Sequence, residues 1–196
     1  PTKSEQSDLN LAVYGTHGDA PRVVTAPTSI ADSVPTAQWS AELARALQVP
    51  VILLSDQALG QTRAVVDAPS AALPADSLAP GDAPVAPSGG RYLRYALTES
   101  GVSPMAHPGT AGCEWVADGL THDERGVPSA AASHHVAQLD KRARKLARHD
   151  FGVRWADLEG EGGHAVIAWG SAVGAVRQAL AWLREDGLPM RLLVLR

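Results

Sequence analysis

Two short apolar runs on either side of a helical pattern dominate the first part of the chain. The runs are Arg22–Ala26 and Val49–Leu54, and each ends in polar turn residues. Apolar strands separated by one helix are typical of a βαβ unit, whose parallel strands are buried on both faces. The pattern therefore predicts an α/β fold with a parallel sheet. Because ligands bind outside the carboxyl ends of such strands, we expect the loops Ala26–Ser29 and Ser55–Gly60 to border a binding site.

The helix between these strands contains a proline, which restricts where the helix can begin. A start near Ser33 would make that residue the N-cap and leave Pro35 in the first turn, where proline is tolerated. Apolar residues at spacings of three and four define the predicted buried face. These residues are Ile30, Val34, Ala37, Ala41, Ala44 and Leu47. A shorter helix is predicted before this unit, capped by Thr2 or Ser4 and with Glu5 in its first turn.

A second βαβ unit is predicted at the C-terminal end. It comprises a strand at His164–Trp169, a helix after Gly170-Ser171, and a strand at Met190–Leu195. The helical spacing of four apolar residues predicts the buried face of that helix: Val173, Val176, Leu180 and Leu183. One such unit is too small a sheet to fold alone, so we expect the protein to continue beyond both ends of this sequence.

Between the two units the pattern predicts one long helix and several loops. The helix runs from Ser133, and its inward stripe is Val136, Leu139, Ala143 and Leu146. Its basic residues are assigned to a solvated face or to a subunit contact: Lys141, Arg142, Arg144, Lys145 and Arg148. The segment Arg91–Leu97 is predicted as a short strand. Residues 66–90 form a Pro/Ala-rich linker without the apolar residues of a core.

Composition narrows the class of protein. The 196 residues are 45% hydrophobic with a formal net charge of -4, so a core is possible and nothing indicates a nucleic-acid or anionic-membrane partner. No apolar run reaches the length of a membrane span. Cys113 is the single cysteine, which excludes an internal disulfide and an iron–sulfur cluster held by this chain alone. We therefore expect a protein of the reducing cytoplasm.

The residues alone identify no catalytic group. Nothing near Cys113 would lower the pKa of a thiol nucleophile, so a small buried residue is the expected role. His134 and His135, with Cys113 or His122, match no compact metal-ligand spacing, and no metal site is predicted. No Gly-x-Ser-x-Gly elbow is present. On this reasoning Lys3 is a solvated lysine beside a helix start.

Several motifs in a fixed order resemble the alpha subunit of 2-oxoacid:ferredoxin oxidoreductases, which are thiamine-diphosphate enzymes of the pyruvate and 2-oxoglutarate type. The resemblance covers most of the chain apart from the 66–90 linker. The motifs are Pro-Thr-Lys-Ser-Glu-Gln-Ser-Asp-Leu from Pro1, Tyr-Gly-x-His-Gly-Asp-Ala-Pro-Arg-Val-Val-x-Ala-Pro from Tyr14, Pro-Val-Ile-Leu-Leu-Ser-Asp-Gln from Pro50, Gly-Leu-Thr-His-Asp-Glu-Arg-Gly-Val-Pro-Ser from Gly119, Arg142-x-x-Lys145, and Trp-Gly-Ser from Trp169.

The resemblance implies a domain arrangement. Residues 1–65 would be the rear half of a pyrimidine-binding domain built of parallel-sheet βαβ units, followed by the 66–90 linker. Residues 91–150 would be connecting loops and the basic helix, and 151–196 would begin a transketolase-C-terminal-like domain. The family's upstream Tyr-Pro-Ile-Thr-Pro motif and the glutamate that activates the cofactor's aminopyrimidine lie outside this sequence.

The resemblance also implies a reaction and its partners. The complete enzyme would oxidatively decarboxylate a 2-oxoacid to an acyl-CoA and pass the electrons to ferredoxin through an iron–sulfur centre. A beta subunit would hold most of the thiamine diphosphate, its magnesium and the cluster, in a dimer of heterodimers that also binds coenzyme A. This chain alone is expected to be inactive and to hold no cofactor.

Four residues are candidates for substrate binding through the resemblance. The basic residue of the Pro-Thr-Lys/Arg motif pairs with the substrate carboxylate in the family, which assigns that role to Lys3, with Thr2 beside it. The family often has arginine there, so lysine offers a point charge instead of a fork. Asp123 and Glu124 lie in a loop that approaches the active site from the neighbouring domain, although a hydrophilic turn is the simpler interpretation.

Two alternatives stay open from the sequence. The chain departs from the family at Thr121, where glutamate is usual, and this weakens any role at that position. Another thiamine-diphosphate enzyme, such as a transketolase-like or dehydrogenase beta-type subunit, would share the same two folds. A non-catalytic interaction module that kept the fold and lost the chemistry is the second alternative.

Overall fold

The computed structural model describes residues 3–68 and 90–196. Thr2 and most of the predicted linker lie outside the described residues. The elements in chain order are α1 (Gln6–Tyr14), β1 (Val23–Thr25), α2 (Ile30–Leu47), β2 (Val51–Leu53), α3 (Gln57–Gln61), α4 (Ala132–Arg148), β3 (Ala156–Glu159), β4 (Ala165–Trp169), α5 (Ala172–Glu185) and β5 (Arg191–Leu195).

The predicted N-terminal βαβ unit is confirmed. Strands β1 and β2 pair in parallel, with Val24 opposite Ile52, and α2 connects them. The helix packs its large apolar residues against the strands, in a core that includes Trp39, Leu43 and Val49. Two short strands suffice here because the helix covers one side and supplies most of the buried apolar surface.

The start of α2 differs from the prediction. Ser29 is the N-cap, and its Oγ accepts a hydrogen bond from the Asp32 N–H at 3.1 Å. Ser33 therefore lies within the first turns of the helix, where its hydroxyl donates to the Ser29 carbonyl at 3.0 Å. Pro35 lies inside the helix. The prediction that Ser33 caps the helix is wrong because the stronger cap occurs four residues earlier.

The predicted buried face of α2 is largely wrong as well. Leu47 is buried, but Val34, Ala37 and Ala41 are exposed. The face that packs inward consists of Thr36, Trp39, Ser40, Leu43 and Leu47. The bulky Trp39 and Leu43 bury more apolar area than a row of alanines can, so their face turns inward.

Two buried hydroxyl groups meet between α2 and β1, those of Ser40 and Thr25, and both are hydrogen-bonded. Ser40 Oγ lies 2.7 Å from the Thr36 carbonyl, to which it donates, and 2.8 Å from Thr25 Oγ1 on β1. Buried hydroxyls are tolerated when they are hydrogen-bonded, so this pair ties α2 to the strand instead of destabilising the core.

The segment after the linker forms turns, and the predicted strand at Arg91–Leu97 is wrong. Tyr92 is buried, donates from its hydroxyl to the Pro104 carbonyl at 2.8 Å and accepts from the Ala106 N–H at 2.9 Å. These bonds fold the loop at 101–112 back on the segment. Tyr92, Ala106 and Cys113 form a small buried cluster, in agreement with the predicted buried role of the cysteine.

Helix α4 buries a different face from the one predicted, although Leu146 of the predicted stripe packs against the N-terminal core. Val136 is 54% exposed, whereas Gln138, Lys141 and Lys145 are buried. The assignment of both lysines to a solvated face is therefore wrong. Their ammonium groups reach acceptors on neighbouring segments, as described below, and those bonds replace part of the lost hydration.

The C-terminal sheet confirms the predicted strand–helix–strand unit and adds one strand to it. Strands β4 and β5 pair in parallel, and α5 covers them with Val173, Val176 and Leu180. Strand β3, which the sequence analysis missed, pairs antiparallel with β5 and gives the order β3-β5-β4. Its sequence, Ala-Asp-Leu-Glu, is short and half charged, so it lacks the apolar run that identifies a buried strand.

Two carboxylates join the C-terminal sheet to the N-terminal unit. Asp32 at the start of α2 accepts from Arg196 Nε at 2.9 and 3.1 Å, and Arg196 follows β5 directly. Asp56 before α3 accepts from the Ser171 N–H at 3.0 Å. Among the described helices, none has the combination of length and apolar character that crossing a membrane requires.

The Asp32 junction carries a charge that folding stabilises. Burial by itself raises the pKa of Asp32, but the hydrogen bonds from Thr28 and Arg196 outweigh this effect and hold the pKa below its usual value of 3.8. The Asp32 carboxylate therefore adds to the free energy of unfolding at pH values above 3.8. The added stability is lost as the pH falls through the lower pKa of the folded protein.

Replacing Asp32 with asparagine tests this junction. We expect the Asp32→Asn substitution to lower the free energy of unfolding by about 1–3 kcal/mol at pH 7, since it removes the charge of one of the two carboxylates that pair with the partly buried Arg196 guanidinium; the other is Asp157, 2.8 Å from Arg196 Nη1. Thermal unfolding of the complete protein measures the change. The matched control is Glu99→Gln, which breaks the exposed Arg148–Glu99 pair and should cost about 0.5 kcal/mol or less. Equal losses in the two variants would contradict the account.

Candidate functional site

Lys3 lies at a cleft between the two halves of the fold. The cleft has a volume of about 560 Å³ and is bounded by the start of α1, the loop after β2 and the loop after β4. Its walls include Ser4, Asp56, Trp169 and Ser171. The loop Ser55–Gly60, which was expected to border a site, contributes to this cleft, whereas Ala26–Ser29 instead leads into α2.

Hydrogen bonds across the cleft hold its walls in place. Ser4 Oγ accepts from the Gln57 N–H at 3.0 Å and so fixes the backbone next to Lys3. The two oxygens of Asp56 accept from the Leu59 and Ser171 N–H groups at 2.9 and 3.0 Å. Burial raises the pKa of Asp56, but these hydrogen bonds outweigh it and keep the pKa below its usual value. Asp56 is therefore a charged structural link at neutral pH.

Two helices point their N-termini at this cleft. The first turn of α1 is capped by its own carboxylates, because Glu5 and Asp8 form a reciprocal capping box; the Glu5 N–H donates to Asp8 Oδ2 at 2.9 Å. Helix α5 has no side-chain cap and no acidic residue in its first turn. The Asp56 carboxylate occupies this helix start by accepting from the Ser171 N–H. Lys3 is therefore the group lining this cleft that can pair with an anionic ligand, beside the carboxylates of Glu5, Asp8 and Asp56.

Asp123 and Glu124 line a different cavity from Lys3. Asp123 Oδ1 accepts from the Arg125 and Val127 N–H groups at 2.9 and 3.0 Å, an arrangement that closes a tight turn. The hydrogen bond from Val127, followed by that from Arg125, holds the pKa of Asp123 below its usual value. Glu124 Oε1 accepts from the Leu97 N–H at 2.7 Å. Asp123 therefore closes its own turn, and Glu124 fastens the loop to the 93–97 segment.

A second polar cavity, which the sequence analysis missed, lies against the buried face of α4. It has a volume of about 240 Å³, and we call it the cationic pocket. Its walls are Gln48, Arg94, Tyr95, Ser103, Asp118, Leu120, His122, Gln138, Lys141, Arg142 and Lys145. The signal in the sequence was the helical spacing of Gln138, Lys141 and Lys145, which places these three polar side chains on one face.

The hydrogen bonds of Lys141 account for its position in the cationic pocket. Its Nζ donates to the Tyr95 carbonyl at 3.0 Å and to Ser103 Oγ at 2.9 Å. Burial, and then the positive charges of Lys145, Arg94 and Arg142, lower the pKa of Lys141 to about 8. The ammonium is therefore held at a free-energy cost that deprotonation would relieve.

The aromatic wall of the cationic pocket is a stacked pair. The rings of Tyr95 and His122 lie 4.4 Å apart between centroids at an interplanar angle of 16°. His122 Nε2 is 3.0 Å from Asp118 Oδ1. Across residues 3–68 and 90–196, no group of three or more His, Cys, Asp or Glu side chains is arranged to hold a metal ion.

Comparison with known proteins gives the chain a consistent set of relatives. Residues 1–141 match the pyruvate flavodoxin/ferredoxin oxidoreductase, thiamine-diphosphate-binding family. The 2-oxoacid:ferredoxin oxidoreductase subunit alpha of Saccharolobus solfataricus is 29% identical over 201 residues, covering 100% of this chain and 32% of that protein. The 2-oxoglutarate oxidoreductase subunit KorA of Mycobacterium tuberculosis is 33% identical over 193 residues, covering 95% of this chain and 28% of that protein.

A solved structure agrees with these relatives. The 2-oxoglutarate:ferredoxin oxidoreductase from Magnetococcus marinus, with 2-oxoglutarate, coenzyme A and succinyl-CoA bound, superposes with a TM-score of 0.77 at 32% identity. The superposition covers 99% of this chain and 34% of that chain. The chain therefore spans about a third of the length of these relatives.

The lowered pKa of Lys141 predicts how stability changes with pH. Above pH 8 the folded protein releases the Lys141 proton, while the unfolded chain keeps it up to the ordinary value of 10.5. Because the unfolded state then binds more protons, the free energy of unfolding should rise with pH in this window. We expect the unfolding temperature of the complete protein to rise between pH 8 and 10 relative to that of the Lys141→Met variant.

The Arg63→Met variant is the control for this titration, because it removes an exposed cation that does not line the cationic pocket. It should follow the unmodified protein across the whole pH range, in a buffer without phosphate or sulfate. A Lys141→Met variant whose unfolding temperature runs parallel to that of the unmodified protein would contradict the lowered pKa.

Proposed function

Since the chain belongs to the pyruvate flavodoxin/ferredoxin oxidoreductase, thiamine-diphosphate-binding family, we propose that it is part of the alpha subunit of a 2-oxoacid:ferredoxin oxidoreductase. The complete enzyme would convert a 2-oxoacid and coenzyme A to an acyl-CoA and carbon dioxide, with two electrons passing to an iron–sulfur acceptor. This proposal is supported by the family match over residues 1–141. It is also supported by relatives that are named as alpha or KorA subunits of 2-oxoacid and 2-oxoglutarate oxidoreductases.

The single observation that carries the proposal is the position of Lys3. Every 2-oxoacid has a carboxylate, and Lys3 is the basic side chain that lines the cleft bounded by α1 and α5. The Asp56 carboxylate is already engaged by the Ser171 and Leu59 N–H groups, so it does not pair with Lys3 in the described contacts. A charge-assisted hydrogen bond from the Lys3 ammonium would anchor the substrate carboxylate while leaving its 2-oxo group free to react.

The role of this chain is to bind and orient the substrate. Thiamine diphosphate, when bound, supplies the nucleophilic carbon and stabilises the carbanion that decarboxylation produces. The hydrogen bonds of Asp56 and Ser4 keep the cleft walls at a fixed separation, so the carboxylate anchor is preorganised. We assign no proton transfer to a described residue, because the residues that line the cleft include no histidine.

The described side chains of the cleft fit a substrate carboxylate better than they fit a metal ion or an iron–sulfur cluster. The described residues bring no carboxylate group together that would hold the magnesium ion of the diphosphate, and the single buried thiol of Cys113 cannot ligate an iron–sulfur cluster. We propose, from the resemblance to the family, that a beta subunit holds most of the magnesium, the diphosphate and the cluster. The proposal further includes ferredoxin as acceptor, a dimer of heterodimers, and a cytoplasmic location.

Asp123, Glu124 and Thr2 enter the proposal with a narrower role. Asp123 and Glu124 hold the shape of their loop and have no described contact with Lys3. We propose that this loop approaches the active site from the neighbouring domain in the assembled enzyme. Thr2 precedes Lys3 and would orient it.

Substitution of Lys3 tests the carboxylate anchor. In the complete enzyme with its partner subunit and cofactors, we expect Lys3→Met to lower kcat/KM for a 2-oxoacid by roughly 10- to 100-fold, since it removes one hydrogen bond to a charged group. Lys3→Arg should recover most of this loss, because arginine also pairs with carboxylates. The assay is 2-oxoacid-dependent reduction of a redox dye in the presence of coenzyme A.

Arg63→Met is the matched control, because Arg63 is an exposed cation that does not line the cleft. It should leave kcat/KM unchanged. A complete protein that shows no 2-oxoacid-dependent reduction would overturn the proposed function and favour a non-catalytic module. Full activity in Lys3→Met would overturn the assignment of the anchor alone.

A further inference from the structure

The cationic pocket is separate from the Lys3 cleft and carries an excess of positive charge. Four of its wall residues are the cations Arg94, Lys141, Arg142 and Lys145, and its one carboxylate is that of Asp118. The pocket reaches solvent beside Leu120, whose side chain is exposed. No residue of this pocket lines the cleft that the proposed function uses.

The two lysines are buried without a carboxylate partner in the described part of the chain. Lys141 is 4% and Lys145 is 9% exposed. The ion pairs within 4.0 Å across residues 3–68 and 90–196 involve only other basic residues. Asp118 pairs with His122 instead, and the nearby Glu124 is occupied by the Leu97 N–H. Two adjacent buried ammonium groups cost several kcal/mol unless an anion compensates them.

The pocket also holds donors that remain available. The three N–H bonds of Lys141 meet two neutral acceptors, and Lys145 Nζ donates to the Gln48 carbonyl at a long 3.3 Å. Arg94 Nε is a buried atom without a hydrogen-bond partner among the described residues, whereas His122 Nε2 lies 3.0 Å from Asp118 Oδ1. His122 is itself 4% exposed. A buried donor without a partner, such as Arg94 Nε, is rare in folded proteins and indicates an acceptor from outside the chain.

We propose that the cationic pocket binds a phosphate group, held by Lys141, Lys145 and Arg94. A phosphate carries about 1.5 to 2 negative charges at neutral pH, so it compensates both buried ammonium groups, whereas a single carboxylate compensates one. Arginine and lysine are the side chains that proteins use for this recognition.

The size of the pocket limits what the phosphate can be attached to. A volume of about 240 Å³ is below that of ordinary small-molecule pockets, which begin near 300 Å³. The ligand class is therefore inorganic phosphate or a small phosphate monoester. Tyr95, whose ring stacks on His122 in the pocket wall, would pack against the organic part of a monoester.

Protonation of Lys141 links this site to pH. The pKa of about 8 results from burial and from the charges of Lys145, Arg94 and Arg142, while Glu124 acts in the opposite direction. A bound phosphate stabilises the ammonium and raises that pKa. Asp118 and His122 face the same pocket, and the carboxylate of Asp118 opposes the ligand. Affinity for phosphate should accordingly fall as the pH rises above 8.

The test is calorimetric titration of the complete protein, with its thiamine diphosphate bound, in phosphate-free buffer. Inorganic phosphate and glycerol 3-phosphate are the two probes, and tighter binding of one identifies the source of the phosphate group. We expect Lys141→Met and Lys145→Met each to weaken binding about tenfold or more. Arg148→Met is the control, because Arg148 lies on the same helix, is exposed and pairs with Glu99 outside the pocket.

A variant that should bind phosphate more tightly distinguishes a direct effect on the pocket from misfolding. Asp118→Asn removes the only carboxylate of the pocket wall and should tighten phosphate binding, which a destabilised protein would not do. Phosphate binding that Lys141→Met, Lys145→Met and Asp118→Asn all leave unchanged would overturn the proposal. If neither probe binds detectably at about 10 mM, the proposal is also overturned. The assay measures no turnover, so its failure leaves the proposed oxidoreductase reaction untouched.

Discussion

Two carboxylates at helix starts, Asp32 and Asp56, hold the described parts of this chain in one arrangement. Asp32 lies in the first turn of α2, and Asp56 is the N-cap of α3. Each carboxylate also accepts a hydrogen bond from the C-terminal unit, Asp32 from the Arg196 guanidinium and Asp56 from the Ser171 N–H. Both pKa values lie below the usual range despite burial, so both groups stay charged at neutral pH. The cleft beside Lys3 exists because these links set the loop after β2 against the loop after β4.

The chain uses positive charge in two different ways. Lys3 is exposed at the edge of a cleft, where an ammonium keeps its hydration until a substrate arrives. Lys141 is buried against Tyr95 and Ser103, where neutral acceptors replace only part of that hydration and neighbouring cations add repulsion. A buried charge of this kind favours either deprotonation or a bound anion. We therefore propose a different anion for each of the two sites.

Sequence reasoning succeeded where large apolar residues determine the packing. The βαβ units follow from their apolar runs. The buried face of α5 follows from the helical spacing of Val173, Val176 and Leu180. It failed in α2, because a pattern rich in alanine gives two helix faces similar hydrophobicity and Trp39 decides between them. It failed in α4, because whether a lysine is buried depends on acceptors from distant segments. It could not show that Lys3 and Asp123 line different cavities, since that depends on tertiary packing.

The central claim is that Lys3 anchors the carboxylate of a 2-oxoacid. The most direct measurement is an experimental structure of the complete enzyme with a 2-oxoacid bound. The account predicts a substrate carboxylate oxygen about 2.7–3.2 Å from Lys3 Nζ, in the cleft bounded by the N-termini of α1 and α5. A substrate bound with its carboxylate on other residues, and with Lys3 directed into solvent, would contradict the account.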